Sequence, residues 1–287
     1  MGYKIAICLS GQLRKLQNVD RFSSNYEIWD ISLKQAFKGH DVDYYIHTWD
    51  HEYNINLPHL EKYFPDATVE VETYEKFDQV IDDIFRAQNF PRLGTDQRRY
   101  WFVQYYTILK SLQLAKKSNI EYDFIVRIRS DIRLFKVITK EGLEQYAKHT
   151  QLDYEHLYSH GVLSLSKKHI TGSIFSPFMY AREIISIRDF IWLADTNAFD
   201  TLTKLTEYDI LHLVFEIVKD FGVSKLGLDK ITLYDHLTAW KAPVIWPEIF
   251  NRLGIVLTRG DYLGLNGKII RGKDDSKFKS TNYGVIR

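Results

Sequence analysis

The sequence holds a single cysteine, Cys8, so no internal disulfide can form and no oxidising compartment is needed. Cys8 stands in the apolar run YKIAICL, where a small, buried, inert thiol is expected. Net charge is as scarce: 38 Lys plus Arg face 37 Asp plus Glu, a formal +1. A nucleic-acid partner calls for clustered phosphate contacts, and this balance speaks against one. No run of about 18 apolar residues occurs, which excludes a spanning helix. The opening MGYKIAICLSGQLR lacks the flanks of a signal peptide, so a cytoplasmic protein is expected, at most peripheral at the inner membrane face. Cysteine pairs are missing, and His47, His51 and His59 lack the spacing of a closed ligand set, so zinc is not indicated. There is no G-x-G-x-x-G, no Walker loop, no internal repeat and no low-complexity tract.

What is present is an aromatic-rich α/β pattern in a chain long enough for one large domain. Nineteen Tyr, 17 Phe and 6 Trp must lie mostly in the core by volume, and the tyrosine surplus suits a polar cleft that stacks on rings or sugars. Residues 3–9 form a continuous apolar run, the mark of a parallel strand buried on both faces. A helical pattern over 21–38 ends at Gly39, and VDYYIHTW (42–49) reads as a second strand. ATVEVETY (67–74) alternates β-branched residues with acids, a third strand with one wet face. Helices are expected over 77–86 and 96–118, the latter amphipathic with a basic end. YDFIVRIRSDIRL (122–134) reads as the fourth strand. The second half is less regular: helices over 183–193, 199–205 and 209–221, and a loop at Pro247-Glu248. The fold class is therefore α/β, a mixed and mainly parallel sheet flanked by helices. Residues 1–151 form its regular part, 152–266 a less regular part of the same domain, and 267–287 a basic, weakly patterned tail inclined to disorder.

In open parallel sheets the ligand lies beyond the carboxyl ends of the strands. Here those ends deliver Ser10, Gly11, Gln12 and Arg14 from the first strand, His47, Thr48 and Trp49 from the second, and Arg127, Arg129 and Asp131 from the fourth. Gly11 allows a sharp turn or a close approach, and Arg14 can grip a phosphate with two parallel hydrogen bonds; a strand-end turn with a solvated arginine explains the same letters. Strand alternation gives Arg127, Arg129 and Asp131 one face. Two guanidiniums and a carboxylate on a buried face are either a structural network or aimed at an anionic ligand and its metal. The position at the strand end favours the second. One carboxylate facing a diphosphate suits Mg²⁺ or Mn²⁺. His47 can contact a base or a sugar, or be a satisfied histidine. Gln104 and Lys110 can reach the cleft, or Lys110 can be solvated. Among Asp189, Asp195, Glu207, Asp209 and Glu248, Asp189 has the most apolar surroundings, IRDFIWLAD. Burial would raise its pKa toward that of a general base, and helix capping is its bland alternative.

These residues carry a resemblance. SGQLR, HTWD, QYYTILKSLQL and YDFIVRIRSDIRL resemble nucleotide-sugar glycosyltransferases of the GT-A fold, the WavE-type lipopolysaccharide-synthesis group and similar phage, viral and bacterial surface-polysaccharide transferases. The likeness spans roughly 3–50 and 96–195. It implies that Asp131 is the last Asp of a DxD signature holding metal on the sugar diphosphate, and that Asp189 matches an Asp near the acceptor. Arg129 occupies the place of the first acid, so Arg127 and Arg129 carrying the diphosphate without metal is the other possibility. The implied activity moves a sugar from a nucleotide-sugar donor to a glycan or lipid-linked glycan acceptor. A non-catalytic carbohydrate-binding protein and a nucleotidyltransferase are the alternatives on the same fold.

Overall fold

The structure, a computed structural model, describes residues 2–10, 13, 30, 33–87, 96–129, 132–134, 169–175, 186–220, 242–259 and 267–269. Its centre is a seven-stranded sheet. The first half supplies β1 (Lys4–Ser10), β2 (Asp41–Trp49), β3 (Thr68–Glu72) and β4 (Phe124–Arg129). The second half adds β6 (His169–Phe175), β7 (Ser186–Ala194) and β8 (Val256–Arg259), in the order β3-β2-β1-β4-β7-β6-β8. The pairs β3–β2, β2–β1, β1–β4 and β6–β8 are parallel, while β7 is antiparallel to both its neighbours. Hence β7 alone runs against the other six. The sheet is continuous from the first half of the chain into the second.

Two apolar layers explain why the central strands read as unbroken apolar runs. Ala6, Cys8, Tyr45, Trp49, Ile125 and Trp192 face a large layer built from four helices and more. These include α2 (Tyr74–Ala87), α3 (Asp96–Lys117), α4 (Thr196–Thr203) and α5 (Glu207–Asp220), with α6 (Ala242–Arg252) closing the layer. Ile5, Ile7, Leu9, Ile46, Val126, Ile128 and Leu193 face the opposite layer, with Leu33, Phe37 and α1 (Asp50–Tyr63). Each helix buries a stripe at helical spacing, as Phe77, Val80, Ile81, Ile84 and Phe85 do in α2. Local signals set the ends. Asp195 caps α4 by accepting from the Ala198 amide at 2.7 Å. Thr206 and Asp209 cap α5 reciprocally: the Asp209 amide donates to Thr206 Oγ1 at 3.1 Å and the Thr206 amide to the Asp209 carboxylate at 2.8 Å. Gly39, with φ of 90°, turns the chain into β2.

Four sequence expectations change. Of the segment 183–193, expected as a helix, residues 186–193 belong to the strand β7; a short apolar run does not distinguish the two. The loop at Pro247-Glu248 lies inside α6; Pro243 sits in the first turn, where an amide is unpaired anyway. The fourth strand stops at Arg129, and β5 (Ile132–Leu134) leaves the main sheet to pair antiparallel with β9 (Gly267–Ile269). That ladder places the head of the basic segment 267–287 in a strand, the rest of it lying outside the described residues. The helix α1 is a further element, which its mid-helix Pro58 concealed.

Ile7 is fully buried on the central strand β1. Ile7→Ala is therefore expected to cost about 2–5 kcal/mol, read from the denaturant midpoint. An unchanged midpoint would show that β1 does not occupy the middle of the core.

Candidate functional site

The chain lays down β1, β2 and β3 outward in one direction and then returns to place β4 on the other side of β1. The crevice beyond the carboxyl ends of β1 and β4 is thus the switch point where open α/β sheets hold ligands. Ser10 ends β1 and is the register partner of Arg129, the last residue of β4. Arg127, two residues back, is 2% exposed. Its Nε donates to Ser10 Oγ at 3.1 Å, and its guanidinium carbon lies 5.5 Å from the centre of the Trp192 ring. An arginine can only donate, so Ser10 Oγ accepts and its own O–H remains to donate. Burying a guanidinium is costly. Here the hydrogen bond to Ser10 and the cation–π contact with Trp192 are among the contacts that hold it in the sheet.

The reversed strand brings a second-half residue to this edge. Ile128 pairs with Ile191 in the antiparallel β4–β7 ladder. Asp189 lies two residues earlier in β7, in the stretch where the β6–β7 register is irregular. Its place in mid-strand removes the helix-capping explanation. Asp195 and Asp209 are taken up as caps, and Glu248 lies 3.4 Å from Arg252.

A second polar cluster sits at the ends of β2 and β3. Glu72, with 9% of its side chain exposed, accepts from four groups. These are His47 Nε2 at 3.1 Å, Lys76 Nζ at 2.6 Å, Tyr106 O–H at 2.7 Å and Lys110 Nζ at 2.9 Å. Burial alone pushes its carboxyl up, but the four donors outweigh that and hold it well below the ordinary value. Lys110 also meets Glu207 at 3.1 Å and Glu70 at 3.8 Å, and Lys117 meets Glu70 at 3.1 Å. Desolvation pulls the Lys110 ammonium down and these carboxylates more than restore it.

Lys110 is thus neither solvated nor open to a ligand: it is buried, and three carboxylates take up its charge. Trp49 packs among Tyr74, Phe77 and Tyr106, which makes it core rather than a stacking platform. His47 is fixed by Glu72 through Nε2, while its Nδ1, also buried, has no hydrogen-bond partner among the described residues. Gly11, Gln12, Arg14 and Asp131 lie outside the described residues. Glu72, Tyr106 and Trp192 escaped the sequence reading. The signal was Lys110 itself, a lysine on the apolar stripe of QYYTILKSLQL, which demands a buried acid opposite. The acids of ATVEVETY, read as a wet face, supply it.

No protein-family model and no curated protein matches the chain. Among solved structures it is similar to mouse xyloside xylosyltransferase 1 in its apo form, at 8% identity over 90% of this chain and 84% of that one, TM-score 0.44. It is also similar to an active-site mutant of LgtC, at 11% identity over 86% and 70%, TM-score 0.44. The galactosyltransferase LgtC in complex with donor and acceptor sugar analogues matches at 10% identity over 89% and 73%, TM-score 0.43. Scores of this size carry no residue-by-residue correspondence. Among the described residues no helix is long and apolar enough to cross a membrane.

Because the Glu72 carboxyl is held down in the folded chain, its stabilisation is present above its ordinary value, 4.5, and is lost as pH falls through that range. Glu72→Gln is expected to cost about 3 kcal/mol near neutral pH. The gap to the wild type should then close on acidification below pH 4.5. Urea titrations of both chains across pH check this; a gap that widened in acid would contradict the network.

Proposed function

We propose that the chain is a glycosyltransferase that moves a sugar from a nucleotide diphosphate-sugar to a hydroxyl of a glycan or lipid-linked glycan. The observation that carries this reading is the buried Arg127, held by Ser10 at the β1–β4 switch point. A cation at that place meets the charge that develops on a departing diphosphate. An acid across the crevice can receive the proton of the incoming hydroxyl. The acceptor oxygen bonds to the anomeric carbon as the bond from that carbon to the diphosphate breaks. Arg127 and Arg129 take up the leaving charge, and the hydroxyl proton passes to Asp189. The likeness of SGQLR and RIRSDIR to WavE-type GT-A transferases supports the same assignment.

Among the described residues no three His, Cys, Asp or Glu gather as metal ligands. Mg²⁺ or Mn²⁺ would rest on Asp131, which lies outside the described residues, and on phosphate oxygens of the donor, a donor set that both ions accept. There the ion would neutralise phosphate charge. Ser10, Gly11, Gln12 and Arg14 are assigned to the donor, with His47 at the flank of its nucleoside.

A screen of UDP- and GDP-sugars by thermal shift, with and without Mn²⁺, tests the reading. A true donor at 100 times its dissociation constant adds about 2.7 kcal/mol, and Asp131→Ala should weaken that shift. Asp189→Asn should leave the shift intact and slow transfer by about 10²–10⁴. No shift with any donor would sink the assignment, and release of pyrophosphate from a nucleoside triphosphate would replace it with nucleotidyl transfer.

A further inference from the structure

One rung at the centre of the sheet sets Cys8 of β1, Arg127 of β4 and Trp192 of β7 side by side as register partners. The small Cys8 leaves the long arginine room to extend along the strand. Its Nε meets Ser10 Oγ at 3.1 Å, two residues on from Cys8. The guanidinium is thereby carried about 6.6 Å along the strand, to the edge where Ser10 and Arg129 end β1 and β4. On the other side of Arg127, the Trp192 ring centre lies 5.5 Å from the guanidinium carbon. That ring is fully buried and is itself held. Trp246 of α6 stands 5.0 Å from it, tilted by 58°, and Phe250 of the same helix 5.3 Å from it, at 75°. Tyr105 of α3 backs Trp246 at 5.3 Å. Two helices thus fix the plane of the ring, and the ring faces the arginine.

An aliphatic side chain would fill much of the same space. It would not supply the negative π face that attracts a cation, which is strongest in tryptophan. An arginine on a free stem loses rotamer freedom when an anion orders it; here the ordering is complete on folding. A charge close below the strand ends still acts on an anion there, because the core around it screens little. We propose that Trp192 is a positioning residue: clamped by α6, its ring holds the Arg127 guanidinium toward the carboxyl edge for an anionic ligand of the diphosphate class. This role rests on the transferase reading for the origin of that diphosphate, and on contacts within the sheet for the device itself.

UDP, GDP and inorganic pyrophosphate are titrated into the full chain, with calorimetry and tryptophan emission as readouts. Wild type, Trp192→Phe and Trp192→Leu are compared, and Phe215→Leu, in the same apolar layer but on α5, is the stability control. Trp192→Leu is expected to weaken binding about tenfold, and Trp192→Phe, which keeps a π face, by no more than about threefold. An anion that neutralises the guanidinium alters the field on the adjacent indole. Emission of the wild type should therefore change at saturation, and this change should be lost in Trp192→Phe although it binds. The control should melt lower and bind as wild type does. A ring that only fills space gives another pattern: Phe and Leu variants bind alike, or affinity follows melting temperature through all four chains, and either overturns the role. Unchanged emission of the saturated wild type, or a wild type that binds none of the three anions, overturns it too. Should Trp192→Leu not fold, Trp192→Phe decides: binding kept with the emission change lost supports the role, and a change that persists overturns it. Pyrophosphate bound with this pattern in a chain that transfers no sugar sinks the transferase reading alone. Sugar transfer in a chain whose Leu variant binds UDP or GDP as tightly as wild type sinks the positioning role alone.

Discussion

A guanidinium buried within the sheet is the constraint on which the rest turns. Arg127 cannot lose its proton, so the fold must supply partners on both sides of it. Ser10 comes from β1 and Trp192 from β7, and those two strands flank β4 in the sheet order. The contact that tolerates the charge thereby ties the parallel half of the sheet to the mixed half. A neutral side chain would pack there at lower cost.

Around Glu72 the acids Glu70, Glu72 and Glu207 meet Lys76, Lys110 and Lys117, and the charges balance. That cluster joins β3 to α2, α3 and α5 as a structural knot. Lys110, whose charge those carboxylates take up, therefore belongs to the scaffold.

Strands β1, β2 and β4 were legible because a run buried on both faces must be apolar throughout, and their common edge follows from parallel order. The amphipathic helices α2, α3 and α5 declared themselves by spacing. What stayed hidden depended on contacts remote in sequence. Whether Lys110 meets water or Glu72 is decided by the packing of α3 on β3, and no local pattern records it. The segment around Asp189 mixes branched, aromatic and charged residues in a length that suits helix or strand; the ladder with Ile125–Ile128 decides in favour of strand. β9 has three residues, a glycine among them, and becomes a strand only because β5 is there to pair with it.

The reversal of β7 is what shelters Arg127. Had β7 run parallel to β4, its carboxyl end, Leu193 and Ala194, would meet the working edge. These residues are buried and apolar. Running antiparallel, it presents its opening residues there. The reversal also seats Trp192 beside Arg127 as its register partner. One change of strand direction therefore provides the ring that shelters the cation and joins the two halves of the sheet around it.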